Sequence, residues 1–269
     1  MKLSTDSLDQ LERAVRNLAS RAAKAQPELD IQTKNDGSPV TQIDLMVSTR
    51  LIRLISSLFP SCAIISEEHA TDHKPEAPFT FVIDPIDGTD VYSQGFPSWC
   101  VSIGILDRDK GPVGAMVCAP RFGIATGKGL FVRLDPGGRL RVNGTPFSIT
   151  TEKETTGEVM MGSDALKHMD VEGFAGKIRC FGSTVIHLLC PVLVDRVHGA
   201  IQSVGYVWDF ASAHAVLRAS GMDIYHADGT PLTYSDAFMD REPAREWLYA
   251  GTKGCVDHLR QVIRPAQAR

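Results

Sequence analysis

Residues 84–89 read Asp-Pro-Ile-Asp-Gly-Thr and follow directly on the apolar run 79–83, Phe-Thr-Phe-Val-Ile. Such a run predicts a buried strand, so two carboxylates three residues apart fall where that strand ends. Like charges at that spacing repel and lose hydration on burial, unless a cation sits between them. The turn therefore points to a divalent metal site. Hard cations such as Mg²⁺ take oxygen ligands, and Asp84, Asp87 and the Ile86 carbonyl on one turn can supply them. The N–H groups of Gly88 and Thr89 can receive an anion beside the metal, and the combination implies phosphate chemistry. Taken alone, the motif leaves a second reading open: Asp84 capping a turn before Pro85 and Asp87 capping a helix.

Three further acidic positions bear on that choice. Glu67 and Glu68 close another short apolar run, 62–66, and in open sheets ligands collect beyond the strand ends. Asp209, after Trp208, is expected at the start of a helix as an N-cap carboxylate or as a metal ligand recruited from the second half of the chain. Asp44 follows Thr41 by three residues, the spacing of a capping box. His69, His73, His187, His198 and His214 form no zinc-binding spacing. The glycines at 127, 129, 137 and 138 belong to hairpins, because no Gly-Lys-Ser/Thr follows them.

Composition excludes other classes. With 43% hydrophobic and 22% charged residues in a chain of 269, an ample core is available. A net charge of −4 without a basic run argues against nucleic acid as a partner. No apolar stretch approaches the ~20 residues of a membrane helix, and residues 1–18 are amphipathic and charged, so neither a span nor a secretory leader is expected. The six cysteines form no C-x-x-C pair, as expected of reduced core thiols in a cytoplasmic protein. Asn143-Gly144-Thr145 reads as a turn.

Along the chain, Leu8, Leu11, Val15, Leu18 and Ala22 predict a helix ending before Pro27, and Ile43, Val47, Leu51, Leu54 and Leu58 a second one closed at Phe59-Pro60. Strands are expected at 62–66 and 79–83, then an antiparallel meander with strands at 100–106, 113–118, 123–126 and 130–132. The second half alternates: a strand at 159–162, a helix near 165–174, a strand at 178–181, an apolar helix at 183–194, a strand at 199–203 and a helix at 208–219. Short strands at 223–225 and 247–250 and a helix at 253–263 complete it. Sheets layered with helices follow from this order. The polar stretch 143–158 suggests a boundary between an N-terminal α+β subdomain, 1–145, and a C-terminal α/β subdomain, 146–269.

Lys34…Asp36-Gly-Ser-Pro-Val-Thr…Asp44, Ser66-Glu67-Glu68, residues 84–89, Gly182-Ser183-Thr184 and Trp208-Asp209 occur in this order. Together they resemble the inositol monophosphatase family of Mg²⁺-dependent, lithium-sensitive phosphatases. The resemblance implies an α+β fold, a layered αβαβα sandwich similar to fructose-1,6-bisphosphatase, a homodimer, and two or three Mg²⁺ ions, with Mn²⁺ as a substitute and Li⁺ as an inhibitor. It assigns Glu67, Asp84 and the Ile86 carbonyl to one metal, and Asp84, Asp87 and Asp209 to a second. Glu67 would share a weaker third. Asp44 and Thr89 become the pair that orients the attacking water, with Glu67 beside them. Gly88, Thr89, Gly182, Ser183, Thr184 and Gln202 become phosphate or substrate contacts, supported by Lys34 and Glu68.

Two departures concern the substrate. The family often continues Asp-Gly-Thr-x-Asn-Phe, whereas residues 90–92 here are Asp-Val-Tyr, and Asp90 is expected to point away from the phosphate. Gln202 stands where inositol-type members carry Glu, and His214 replaces a small residue. The expected activity is hydrolysis of a small polyol or sugar phosphate, with inositol monophosphate first. Fructose-1,6-bisphosphatase, 3′-phosphoadenosine 5′-phosphate phosphatase and histidinol-phosphatase activities are alternatives within the class. A non-catalytic regulatory member is the alternative outside it, and the intact acidic set argues against that.

Overall fold

The apolar stripe Leu8, Leu11, Val15, Leu18 and Ala22 is buried along α1 (Thr5–Ala25), in a computed structural model that describes residues 2–29, 31–33, 39–69, 74–123, 129–149 and 157–266. A short hairpin follows, β1 (Ile31–Thr33) with β2 (Pro39–Thr41), then α2 (Gln42–Leu58), β3 (Ala63–Ser66), β4 (Phe79–Asp87) and α3 (Thr89–Ser93). The meander is β5 (Cys100–Asp107), β6 (Pro112–Ala119), β7 (Leu130–Leu134), β8 (Arg141–Val142) and β9 (Thr145–Pro146). Next come β10 (Glu158–Met161), α4 (Ser163–His168), β11 (Met169–Asp170), β12 (Ile178–Arg179), α5 (Thr184–Leu193) and β13 (Val197–Gln202). The chain ends with α6 (Val207–Ala219), β14 (Asp223–His226), α7 (Asp236–Met239), β15 (Leu248–Gly251), α8 (Lys253–Val262) and β16 (Arg264–Pro265).

Strands β3 to β9 form a seven-stranded sheet in sequence order, antiparallel except for the parallel pair β3/β4. A second, five-stranded sheet has the order β12-β10-β13-β15-β14. Strand alternation sorts side chains into three cores. Phe81 and Ile83 of β4 and Val101, Ile103 and Ile105 of β5 face α1 and α2. On the opposite face, Val82, Ala115 and Val117 join α5, α6, and Met160, Ala200 and Ala250 of the second sheet. Val159, Met161, Ile201 and Tyr249 point the other way, onto α8. The result is an αβαβα sandwich. Because α5 and α6 lie between two sheets, they are apolar nearly all round rather than striped.

Several expectations are corrected. The helix expected near 165–174 stops at His168, because Met169–Asp170 pairs with β16 instead. Gly173 lies where a Cβ would come within 3.1 Å of the Val262 carbonyl, so the close approach of the chain to α8 favours glycine there. Helix α7 and the β1/β2 hairpin have no counterpart in the sequence reading. Asn143 and Gly144 both take positive φ, 51° and 83°, and form the tight β8/β9 turn that their sequence predicts. Lys34, Asp36, His73, Gly127 and the strand expected at 123–126, apart from Gly123, lie outside the described residues, as does the 150–156 part of the expected boundary. Among the described residues no helix is long and apolar enough to cross a membrane. Five of the six cysteines are buried and Cys180 is exposed.

Candidate metal centre

The two aspartates of β4 share a face because the strand is irregular. In an even strand, residues three apart point to opposite faces. Here Asp84 opposes Ser102 while Asp87 opposes Cys100, so β4 spends three steps where β5 spends two. The extra residue is a bulge, and it rephases the strand so that both carboxylates turn the same way. Pro85, which has no N–H to offer the ladder, sits within it. Asp209 arrives from α6, which lies directly on β5: a Cβ on Gly104 would fall 2.5 Å from the Ala211 Cβ. Ser102 Oγ and Ser212 Oγ lie 2.6 Å apart across the same contact.

Oxygens of Asp84, Asp87 and Asp209 then lie within 4.8 Å of one another. Asp84 is 2% exposed and Asp87 3%. Burial pushes the Asp84 carboxyl well above its usual range, and the charges of Glu67, Asp87, Asp209 and Asp44 push it further. Asp84 Oδ1 has no hydrogen-bond partner among the described residues. Burial raises Asp87 to about 6, against the opposing effect of its hydrogen bonds. Those bonds reach Oδ2 from Ser183 Oγ, from the Val185 N–H at 3.1 Å and from Cys100 Sγ at 3.6 Å. An all-oxygen set, mutually repulsive, with an orphaned buried acceptor is what a hard divalent cation fits.

The remaining predicted residues surround this cluster. Glu67 follows β3, its N–H donating to the Ile83 carbonyl at 3.1 Å. It lies outside the trio, yet its charge is felt by both Asp84 and Asp87. Asp44 is fully buried. Its Oδ2 accepts from the Thr41 N–H at 2.9 Å and the Thr41 hydroxyl at 2.5 Å, so the capping box forms. Its Oδ1 faces the Thr89 hydroxyl at 3.2 Å, so one residue takes both roles, capping and facing Thr89. Burial raises the Asp44 pKa, with a smaller push from Glu68. The Ile86 carbonyl accepts from Thr89 Oγ1 at 2.9 Å.

Asp209 is one turn further into its helix than an N-cap: α6 starts at Val207, and Asp209 Oδ2 accepts from the Tyr206 N–H at 2.6 Å. Gly88 (φ 89°) precedes α3, and Gly182 (φ 85°) packs so tightly that a Cβ would lie 2.3 Å from Val91 Cγ1. The two glycine turns thus meet across the halves of the chain. Ser183 caps α5 through the Ile186 N–H at 3.1 Å and spends its hydroxyl on Asp87; half-buried Thr184 opens that helix. Gln202 is buried, its amide 2.9 Å from His187 Nδ1. His187, held neutral by a burial-lowered pKa of about 4, accepts the Phe181 N–H at Nε2, 2.7 Å away. Asp90 is exposed on α3. His214 is a packing residue between Asp223 (2.5 Å) and Tyr234 (3.1 Å).

Two contributors escaped the sequence reading. His187 carried only an apolar-helix signal. Arg241 follows α7, a helix too short for its periodicity to register, and donates to the Glu67 carbonyl at 2.6 Å.

Fold and site together define a layered sandwich that carries an acidic cluster suited to a divalent cation. The model of the "Inositol monophosphatase family" matches residues 5–252, and the chain belongs to that family. It is 28% identical over 226 residues to inositol monophosphatase 2 of Homo sapiens, covering 76% of this chain and 74% of that one. It is 26% identical over 265 residues to the Nus factor SuhB of Vibrio cholerae, covering 93% and 94%. Among solved structures, a lithium-soaked inhibitory complex of staphylococcal inositol monophosphatase-1 superposes with a TM-score of 0.77 at 15% identity, covering 97% and 96%.

Proposed function

We propose that this chain hydrolyses the phosphomonoester of a small polyol or sugar, with inositol monophosphate as the first candidate. One observation carries the reading: buried Asp84, one oxygen without a hydrogen-bond partner among the described residues, faces carboxylates drawn from distant parts of the sequence. In this reading Asp84, Asp87 and Asp209 hold two Mg²⁺ ions together with Glu67 and the Ile86 carbonyl, and Glu67 shares a third. Mn²⁺ is an acceptable substitute, and Glu68 and Lys34 support the site. Ions bound there supply Lewis-acid charge to phosphoryl oxygens and acidify water.

The chain's own groups do the rest. Asp44 is fixed by Thr41, and the single O–H of Thr89 has two acceptors, the Ile86 carbonyl at 2.9 Å and Asp44 Oδ1 at 3.2 Å; a cation on that carbonyl would leave the proton to Asp44 and the hydroxyl oxygen to accept from a water and orient it. The raised pKa of Asp44 makes it a better proton acceptor through that hydroxyl. Gly88 and Thr89 N–H groups receive the phosphate, while Gly182, Thr184 and Gln202 border the substrate. Ser183 acts through Asp87, whose oxygen its hydroxyl holds. We further take the enzyme to be a cytoplasmic homodimer built from subdomains 1–145 and 146–269.

A phosphate-release screen over inositol monophosphates, fructose 1,6-bisphosphate, 3′-phosphoadenosine 5′-phosphate and histidinol phosphate tests the reading. Mg²⁺-dependent release from at least one, suppressed by Li⁺ in competition with Mg²⁺, is expected. The staphylococcal enzyme's lithium complex is described as inhibitory. No release from any of them, in a chain that still binds Mn²⁺, would replace this reading with the regulatory one that a Nus-factor relative suggests.

A further inference from the structure

Around the Asp84/Asp87 turn, the other acids of the proposed cation site lie on segments that no sequence proximity holds together. Glu67 sits on the loop after β3, and Asp209 lies in the first turn of α6, some 140 residues later in the numbering. Arg241 spans the two. Its Nη2 donates to the Glu67 carbonyl at 2.6 Å and its Nη1 to the His69 carbonyl at 2.8 Å, so the fork fixes the backbone on both sides of Glu68. Its Cζ stands 5.1 Å from the Trp208 ring centroid, within cation–π range. Trp208 is stacked in turn on Tyr206 at 4.7 Å, and Tyr206 is the residue whose N–H holds the Asp209 carboxylate.

The base of this bracket is itself anchored. Gly205 and Ala244 exchange backbone hydrogen bonds of 3.1 and 2.8 Å, stapling the segment after Arg241 to the turn before α6. Arg241 takes φ 70°, a left-handed conformation that a non-glycine residue keeps only where its surroundings hold it. On the opposite side the acidic loop is tied to α2. Ser48 Oγ lies 2.7 Å from both Ser66 Oγ and His69 Nδ1, and Thr49 Oγ1 lies 3.2 Å from His69 Nε2. The Glu67 loop is thus clasped between the first half of the chain and Arg241 of the second.

We propose that Arg241 is a positioning residue of the cation site, holding the Glu67 loop and the Trp208–Asp209 turn at the spacing their carboxylates need. The inference rests on the cation-site reading above. A planar fork on two carbonyls combined with stacking on an indole is arginine chemistry, and a lysine ammonium cannot reproduce both contacts. Nη1 and Nη2 of Arg241 are both committed to backbone carbonyls, which argues against a direct substrate contact.

Mn²⁺ binding, followed by electron paramagnetic resonance on the full chain, tests this with Arg241→Ala, Arg241→Lys and, as a control, Arg108→Ala. Arg108 makes an exposed ion pair with Glu76 away from the site. Both Arg241 variants are expected to weaken Mn²⁺ affinity by about 10-fold or more, the usual effect of losing a group that orients a metal ligand. Substrate KM at saturating metal should be unchanged, and Arg108→Ala should bind as wild type does. Wild-type affinity in either folded Arg241 variant overturns the proposal, as does a raised KM with metal affinity intact. If Arg241→Ala fails to fold, Arg241→Lys decides alone. A wild-type chain that binds Mn²⁺ but releases no phosphate removes the proposed function and leaves this test standing; one that binds no Mn²⁺ overturns both.

Discussion

Replacing Asp84 by asparagine sets two effects of opposite sign against each other. Without metal, the buried Asp84 carboxylate is disfavoured by burial and by four neighbouring acids, and its Oδ1 has no compensating hydrogen bond among the described residues. Its neighbour Asp87, which does have three such bonds, is still raised from 3.8 to about 6. That difference corresponds to about 3 kcal/mol against the charged form at neutral pH. Asp84 is less well compensated, so removing its charge should stabilise the metal-free fold. The metal-free melting temperature therefore rises, by roughly 2 °C for each kcal/mol gained in a chain of this size. With Mg²⁺ the order inverts, because the wild-type site gains the binding energy of the ion and the amide does not. Activity falls by about 10³-fold, equivalent to losing several kcal/mol of charge stabilisation in the transition state. Differential scanning fluorimetry in EDTA and in Mg²⁺, beside phosphate release, reads all three numbers. A variant less stable than wild type in EDTA would show that Asp84 is a satisfied structural carboxylate, and the metal assignment would fall.

Thr89→Ala should retain the Mg²⁺-induced rise in melting temperature while losing about 10²-fold or more in kcat, since the hydroxyl orients water and is not one of the proposed ligands. Loss of metal stabilisation in that variant would move Thr89 into the ligand set. Metal-free stability should fall as pH rises from about 4 to about 7. Asp87 binds its proton more tightly folded than unfolded, so its contribution is present below pH 3.8 and is lost through about 6. The Mg²⁺-induced stabilisation should grow over the same range, with proton release on binding. Melting curves at fixed ionic strength check both, and a metal-free chain that grows more stable across that window refutes the assignment.

The sequence by itself determined most of the segments and the acidic residues that are candidates for the site. Apolar spacing on α1 and α2, the Asn143-Gly144 turn and the Asp84–Asp87 motif are local, and local patterns follow from backbone sterics and side-chain periodicity. The same holds for the pairing of Asp44 with Thr41, three residues apart. What only the tertiary structure decided is which distant groups meet. The bulge that turns Asp84 and Asp87 to one face depends on how β4 registers with β5, and a register has no signature within one strand. The 165–174 segment gave up its helix to pair with the far end of the chain, and Gln202 found His187 inside the second layer. Arg241, unremarkable in sequence, gained its place from packing after a four-residue helix. Charges must be brought within a few ångströms before they interact strongly, and that closeness is set by the layered core rather than by any one segment.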